Sequence, residues 1–177
     1  MYTPQQVANF FLEKAHEEGK PLTQLKLLKL VYIAYGWVAA IFDKKLFDED
    51  IQAWKHGPVV PSLYHEFKHY GSMPIEGFAV SVDLDNIDES EVPKIGNQTG
   101  DADIVYVLSL VWDIYKRFSA SALRNKTHEL GTPWSLTWEK DTYGAEIPFP
   151  VVRDHFINRI SDYVDAAGQR EPEQRAS

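Results

Sequence analysis

A chain of 177 residues, 44% hydrophobic and 13% aromatic, is long enough to bury one core and too short for two domains to be expected. It has no cysteine, which excludes disulfides, thiolate zinc sites and a cysteine nucleophile, and which fits a reducing, cytoplasmic setting. The formal net charge of -8 argues against duplex nucleic acid as a partner, because phosphate contacts need clustered Lys and Arg; it serves solubility first, and a basic protein partner second.

Thr3 before Pro4 predicts a helix start, since the hydroxyl caps a free amide and proline needs no donor in the first turn. Val7, Phe10, Phe11 and Ala15 give that helix one apolar stripe, and it runs to about Glu18, where Gly19-Lys20-Pro21 ends it. From Leu22 or Thr23 to about Phe42 a second helix is predicted. Its Leu25, Leu28, Tyr32, Tyr35 and Trp37 recur at helical spacing, and Leu27, Leu30, Val31 and Ile33 widen the stripe. A helix apolar on most sides belongs at the centre of the domain, with Lys26 and Lys29 expected to mark its wetter edge. No apolar run reaches the roughly 20 residues of a bilayer span, and Met1-Tyr2-Thr3-Pro4 does not open a signal peptide.

Leu46 to Trp54 reads as extended, interrupted by Asp48, Glu49 and Asp50 and resuming at Ile51-Gln52-Ala53-Trp54. Gly57-Pro58 breaks the chain, and Pro61 opens a short helix through Leu63, Phe67 and Tyr70 that Gly71 stops. Residues 72 to 100 read as a loop or small hairpin excursion, with alternation only at 78 to 84. Asp101 or Asp103 caps a helix through Ile104, Val107, Leu108, Val111, Trp112 and Tyr115; Ser119 or Ser121 starts another to about Leu130, closed by Gly131-Thr132-Pro133-Trp134. A last helix follows Pro148-Phe149-Pro150 with Val151, Val152, Phe156, Ile160, Tyr163 and Val164, and 168 to 177 reads as a disordered polar tail. The fold class is mainly α: a single helical domain, 1 to 167, around a central hydrophobic helix with a small extended element.

His65-Glu66-Phe67-Lys68-His69 matches the zincin spacing, with two imidazoles one helical turn apart and Glu66 placed to activate a metal-bound water. Against it, Leu63, Phe67 and Tyr70 define the buried stripe, so His65 and His69 project to roughly the opposite side. Gly71 ends the helix two residues on, and Glu89 or Glu91 would supply a third ligand only from an acidic loop. The histidines therefore read as solvated, with a surface metal site or a zinc hydrolase as alternatives. Ser62, Ser109, Ser119 and Ser121 lack a glycine-flanked nucleophile elbow, no glycine-rich phosphate loop occurs, and the carboxylates at 48 to 50 and 88 to 91 read as solvated runs. No catalytic residue, metal or other cofactor is expected.

The distinctive stretch is Trp54-Lys55-His56-Gly57-Pro58-Val59-Val60-Pro61-Ser62-Leu63-Tyr64, preceded by Leu25-Lys26-Leu27-Leu28-Lys29-Leu30-Val31-Tyr32 and Ala34-Tyr35-Gly36-Trp37. With Leu46-Phe47-Asp48-Glu49, Glu66-Phe67-Lys68 and Tyr70-Gly71, it resembles the Panacea domain family of SocA-like and phage-associated proteins over about residues 5 to 71. Ser121 to Trp134, with His128 and the Gly-Thr-Pro-Trp turn, is similar to that family's C-terminal half. Positions like His65 and His69 are typically not histidine there, which makes the zincin spacing a coincidence. The resemblance implies an antitoxin that neutralises a cognate toxin by protein contact, or an adaptor that delivers the toxin to a AAA+ protease. With no helix-turn-helix appended, it favours neutralisation over transcriptional autoregulation.

Residue chemistry supports a contact region in the same place, because an aromatic beside rigid Gly-Pro and Pro turns offers area at low entropic cost. The candidate partner-binding residues are Trp54, Lys55, His56, Gly57, Pro58, Val59, Pro61 and Tyr64. The competing reading has Trp54, Pro58 and Tyr64 locking the extended element onto the central helix, leaving Lys55 and His56 as the better contacts.

Overall fold

The computed structural model describes residues 1 to 82, 90 to 96, 101 to 138 and 144 to 168. Among them are seven α-helices: α1 (Pro4–Glu17), α2 (Gln24–Phe42), α3 (Pro61–Phe67), α4 (Asp101–Tyr115), α5 (Ala120–Thr127), α6 (Pro133–Thr137) and α7 (Phe149–Gly168). The short strands are β1 (Gln52–Trp54), β2 (Gly57–Val59), β3 (Ser81–Val82), β4 (Ser90–Glu91) and β5 (Ala145–Glu146). Part of the 78 to 84 alternation, and the tail from 169 on, lie outside the described residues.

Helix α1 starts on a full capping box: the Gln6 amide donates to Thr3 Oγ1 (3.2 Å) while Thr3 N–H donates to Gln6 Oε1 (2.9 Å). Thr23 caps α2, Ser119 caps α5 and Thr132 caps α6, each accepting from an amide three residues on. The cap on α6 corrects the sequence reading. Gly131-Thr132-Pro133-Trp134 turns the chain into a further short helix, because α5 ends at Thr127 and Pro133 takes the first-turn position after the Thr132 cap.

Helix α2 is the centre of the fold, touched by α1, α3, α4, α5, α7 and β2. Every residue from Leu27 to Ala39 is buried. By length and composition α2 is apolar enough to cross a membrane, contrary to the sequence reading, but most of it lies inside the helical shell. Helix α7 packs tightly on it: a Cβ at Gly36 would fall 2.2 Å from the Phe156 ring, which also meets Tyr32 edge-on at 5.7 Å. A second correction concerns Lys29. It is not at a wetter edge but fully buried, 0% exposed, since helices and the β1–β2 hairpin enclose α2 on all sides.

The small sheet has the order β2-β1-β5, antiparallel throughout, with Gln52 opposite Val59, Trp54 opposite Gly57 and Ala53 opposite Ala145. The predicted extended stretch from Leu46 shrinks to three residues, because 46 to 49 form bends. One of the acids there is structural: Glu49 Oε1 accepts the Ser62 amide at 2.8 Å and caps α3, whose own N-cap, Val60, has no side-chain acceptor. The expected hairpin excursion is present as the β3–β4 pairing, Ser81 opposite Glu91, held to α1 by buried Asn9, which bonds the Ala79 amide and carbonyl and the Pro93 carbonyl.

Candidate functional site

The Trp54-Lys55-His56-Gly57 turn sits over the N-terminal half of α2 and beside the end of α5. Gly57 has φ +105°, a conformation that L side chains rarely adopt. A Cβ there would lie 2.6 Å from Lys29 Nζ, 2.9 Å from Thr127 Oγ1 and 3.1 Å from His128 Cε1. Glycine is thus required both by the turn and by what lies under it. Below it, Lys29 Nζ donates to the Pro58 carbonyl at 2.9 Å. Burial pushes the Lys29 amine down from 10.5 to about 7, helped by the positive charge of Arg124.

The outer support comes from α5 and α6. Trp134 Nε1 donates to the Trp54 carbonyl at 2.7 Å, and His128 Nε2 lies 3.4 Å from the Lys55 carbonyl. The His128 ring is itself held, because its Nδ1 is 2.7 Å from the Arg124 carbonyl, an acceptor only, so Nδ1 carries the proton. Trp134 packs on His128 with ring centroids 3.8 Å apart and stacks on Trp138 at 5.6 Å. Thr132 Oγ1 is within reach of the Thr127 and Glu129 carbonyls (2.9 and 2.8 Å), which fixes the connection between the two helices. On the other flank Trp54 meets Tyr64 edge-on at 4.8 Å, and the Tyr64 carbonyl accepts Gln24 Nε2 at 2.8 Å.

The candidate residues divide by exposure. Lys55 and His56 are exposed at the apex, Trp54, Pro61 and Tyr64 are half-buried, and Gly57, Pro58 and Val59 are buried, so the last three contribute the shape of the turn. Lys29, Arg124, His128 and Trp134 complete the face and were not singled out as contacts from sequence. The signal for Lys29 was there: a lysine between Leu28 and Leu30 in a helix apolar all round has no wet side to reach.

The positive charge of the face comes from Lys55 and Arg124. His56 is held below the ordinary imidazole range by partial burial and then by Arg124, Lys55, Lys29 and His128; His128 is likewise depressed, first by burial, against two carbonyl contacts that oppose it.

His65 and His69 are both exposed, and they do not share an α-helical face, because α3 ends at Phe67 and His69 lies in a 3-10 turn over Lys68–Tyr70. Among the described residues no group of three or more His, Asp or Glu is arranged to hold a metal ion. Glu89 lies outside those residues.

A family model described as "Antitoxin SocA-like, Panacea domain" matches residues 27 to 135, a span that contains the whole face from Lys29 to Trp134. "Antitoxin SocA" of Caulobacter vibrioides (strain NA1000 / CB15N) is 33% identical over 130 residues, which cover 73% of this chain and 67% of that protein. No solved structure matches the chain.

Proposed function

Because the chain belongs to the SocA-like Panacea family of antitoxins, we propose that it neutralises a cognate protein toxin in the cytoplasm by binding it directly, through the β1–β2 turn and its α5–α6 support. The observation that carries this reading is the construction of the turn. Its side chains at the apex, Lys55 and His56, are exposed, while a buried lysine and the Trp134 indole, which packs on His128, hold the backbone beneath them in place. A loop fixed in that way loses little conformational entropy on binding, which is what a protein-contact element needs.

The test is co-expression with the protein encoded beside it, scoring growth rescue and then co-purification. Rescue with a stable complex supports neutralisation by binding. Rescue without a complex moves the reading to delivery to a AAA+ protease, and absence of rescue overturns both.

A further inference from the structure

We infer that the face over Lys29 takes an acidic polypeptide segment of the bound partner, seated between the Lys55-His56 apex and the Arg124-His128 side of α5. This rests on the reading of the β1–β2 turn as the contact region and adds the chemistry of what it contacts.

Geometry gathers the cations. His128 lies between the Arg124 and Lys55 main chains, its Nδ1–H donating to the Arg124 carbonyl at 2.7 Å and its Nε2 3.4 Å from the Lys55 carbonyl. Lys29 Nζ sits directly under Gly57 between them. In a chain of net charge -8 such a cluster should attract the chain's own carboxylates, as Lys14, Lys20, Lys94, Lys116 and Arg153 do. Yet among the described residues no carboxylate forms an ion pair with Lys55, Arg124 or Lys29, and Arg124 Nε is out of water without a hydrogen-bond partner. A guanidinium nitrogen left in that state is costly unless something completes it, and a carboxylate of a bound chain would do so. Leu130, fully exposed, and Leu136, 69% exposed, lie on the same α5–α6 segment and suit apolar residues flanking the acids. The occupant is polypeptide and not nucleic acid, because a polyphosphate extends well past so small a patch and meets the acidic remainder of the surface.

The experiment measures affinity for the co-purified partner at about 50 and about 300 mM salt, for the wild type, Lys55→Glu, the Lys55→Glu/Arg124→Glu pair, and Lys44→Glu at the far end of α2. Thermal unfolding of each checks folding, and the exposed Lys55→Glu alone keeps the test valid should Arg124→Glu unfold. The expected result is a loss of about tenfold or more for the patch variants, a flattened salt dependence, and near wild-type binding for Lys44→Glu. A complex indifferent to salt and to both patch variants overturns the inference while leaving direct binding intact. If the wild type forms no complex, the proposed function fails. The inference is then decided by fluorescence anisotropy with a labelled hexaglutamate peptide and a single-stranded oligonucleotide. Salt-sensitive peptide binding lost in Lys55→Glu supports it; binding of neither probe, or of the oligonucleotide instead, overturns it.

Discussion

Lys29 and Pro58 meet inside the protein: the lysine amine, in the N-terminal half of the central helix, donates to the carbonyl of the proline that shapes the exposed turn. The central helix and the candidate contact loop are therefore joined by one polar bond in an apolar interior, and that bond is titratable.

Stability should rise with pH from about 7 to about 10. The folded chain releases the Lys29 proton near 7, whereas the unfolded chain keeps it to 10.5, so the unfolded state binds more protons across that window. The whole effect is on the order of 5 kcal/mol at most, complete below pH 7 and relieved on the way up. His56, His128 and His155, all depressed chiefly by burial, add a rise in the same direction at lower pH. Above pH 10 the trend reverses, because burial raises the phenols of Tyr2, Tyr32 and Tyr35 and the unfolded chain ionises first. Denaturant midpoints across the range read this, and Lys29→Met should flatten the slope between 7 and 10. An equal slope in the variant would place the titration elsewhere.

Gly57→Ala should cost about 2 to 3 kcal/mol, since the methyl meets Lys29 Nζ and Thr127 Oγ1 below 3 Å at a positive φ. Neutralisation should fall with it, because the turn must shift to admit the side chain. Chemical denaturation with a rescue assay checks both.

Trp134→Phe keeps the ring packing on His128 and removes the bond to the Trp54 carbonyl. A loss of about 1 kcal/mol in stability is expected, together with faster hydrogen exchange of the Lys55, His56 and Gly57 amides. Unchanged exchange there would show that α6 does not hold the turn.

Lys55→Glu and His56→Glu should each weaken neutralisation while leaving the melting temperature nearly where it was, because both side chains are exposed. Full rescue by both variants would move the interface off the turn.

Gly36→Ala is the control for the core. Its methyl would meet the Phe156 ring at 2.2 Å, so a loss of about 1 to 3 kcal/mol is expected, far from the candidate face and with no direct effect on the Lys55-His56 apex.

Most of the local structure could be read in the sequence. Thr3-Pro4, Thr23 and Ser119 announce three helix starts through the same chemistry seen in the caps, and the apolar breadth of 22 to 42 places α2 at the centre, because such a helix can be satisfied only by burial on every side. The Trp-Lys-His-Gly-Pro-Val-Val-Pro run marks the turn, since two prolines and a glycine beside a tryptophan leave few backbone paths. What the sequence could not supply is which distant residues share a surface. Lys29 and Trp134 stand 29 and 80 positions from the turn residues they support, and Glu49 looks like one more solvated acid until α3 is seen to lack a cap. Helical periodicity reports which side of a segment is buried, not what it is buried against. Only the packing of α5 on α2 and of the β1–β2 hairpin beside it brought Lys55 and Arg124 to one face with two histidines, and so decided that an acidic chain carries a positively charged face.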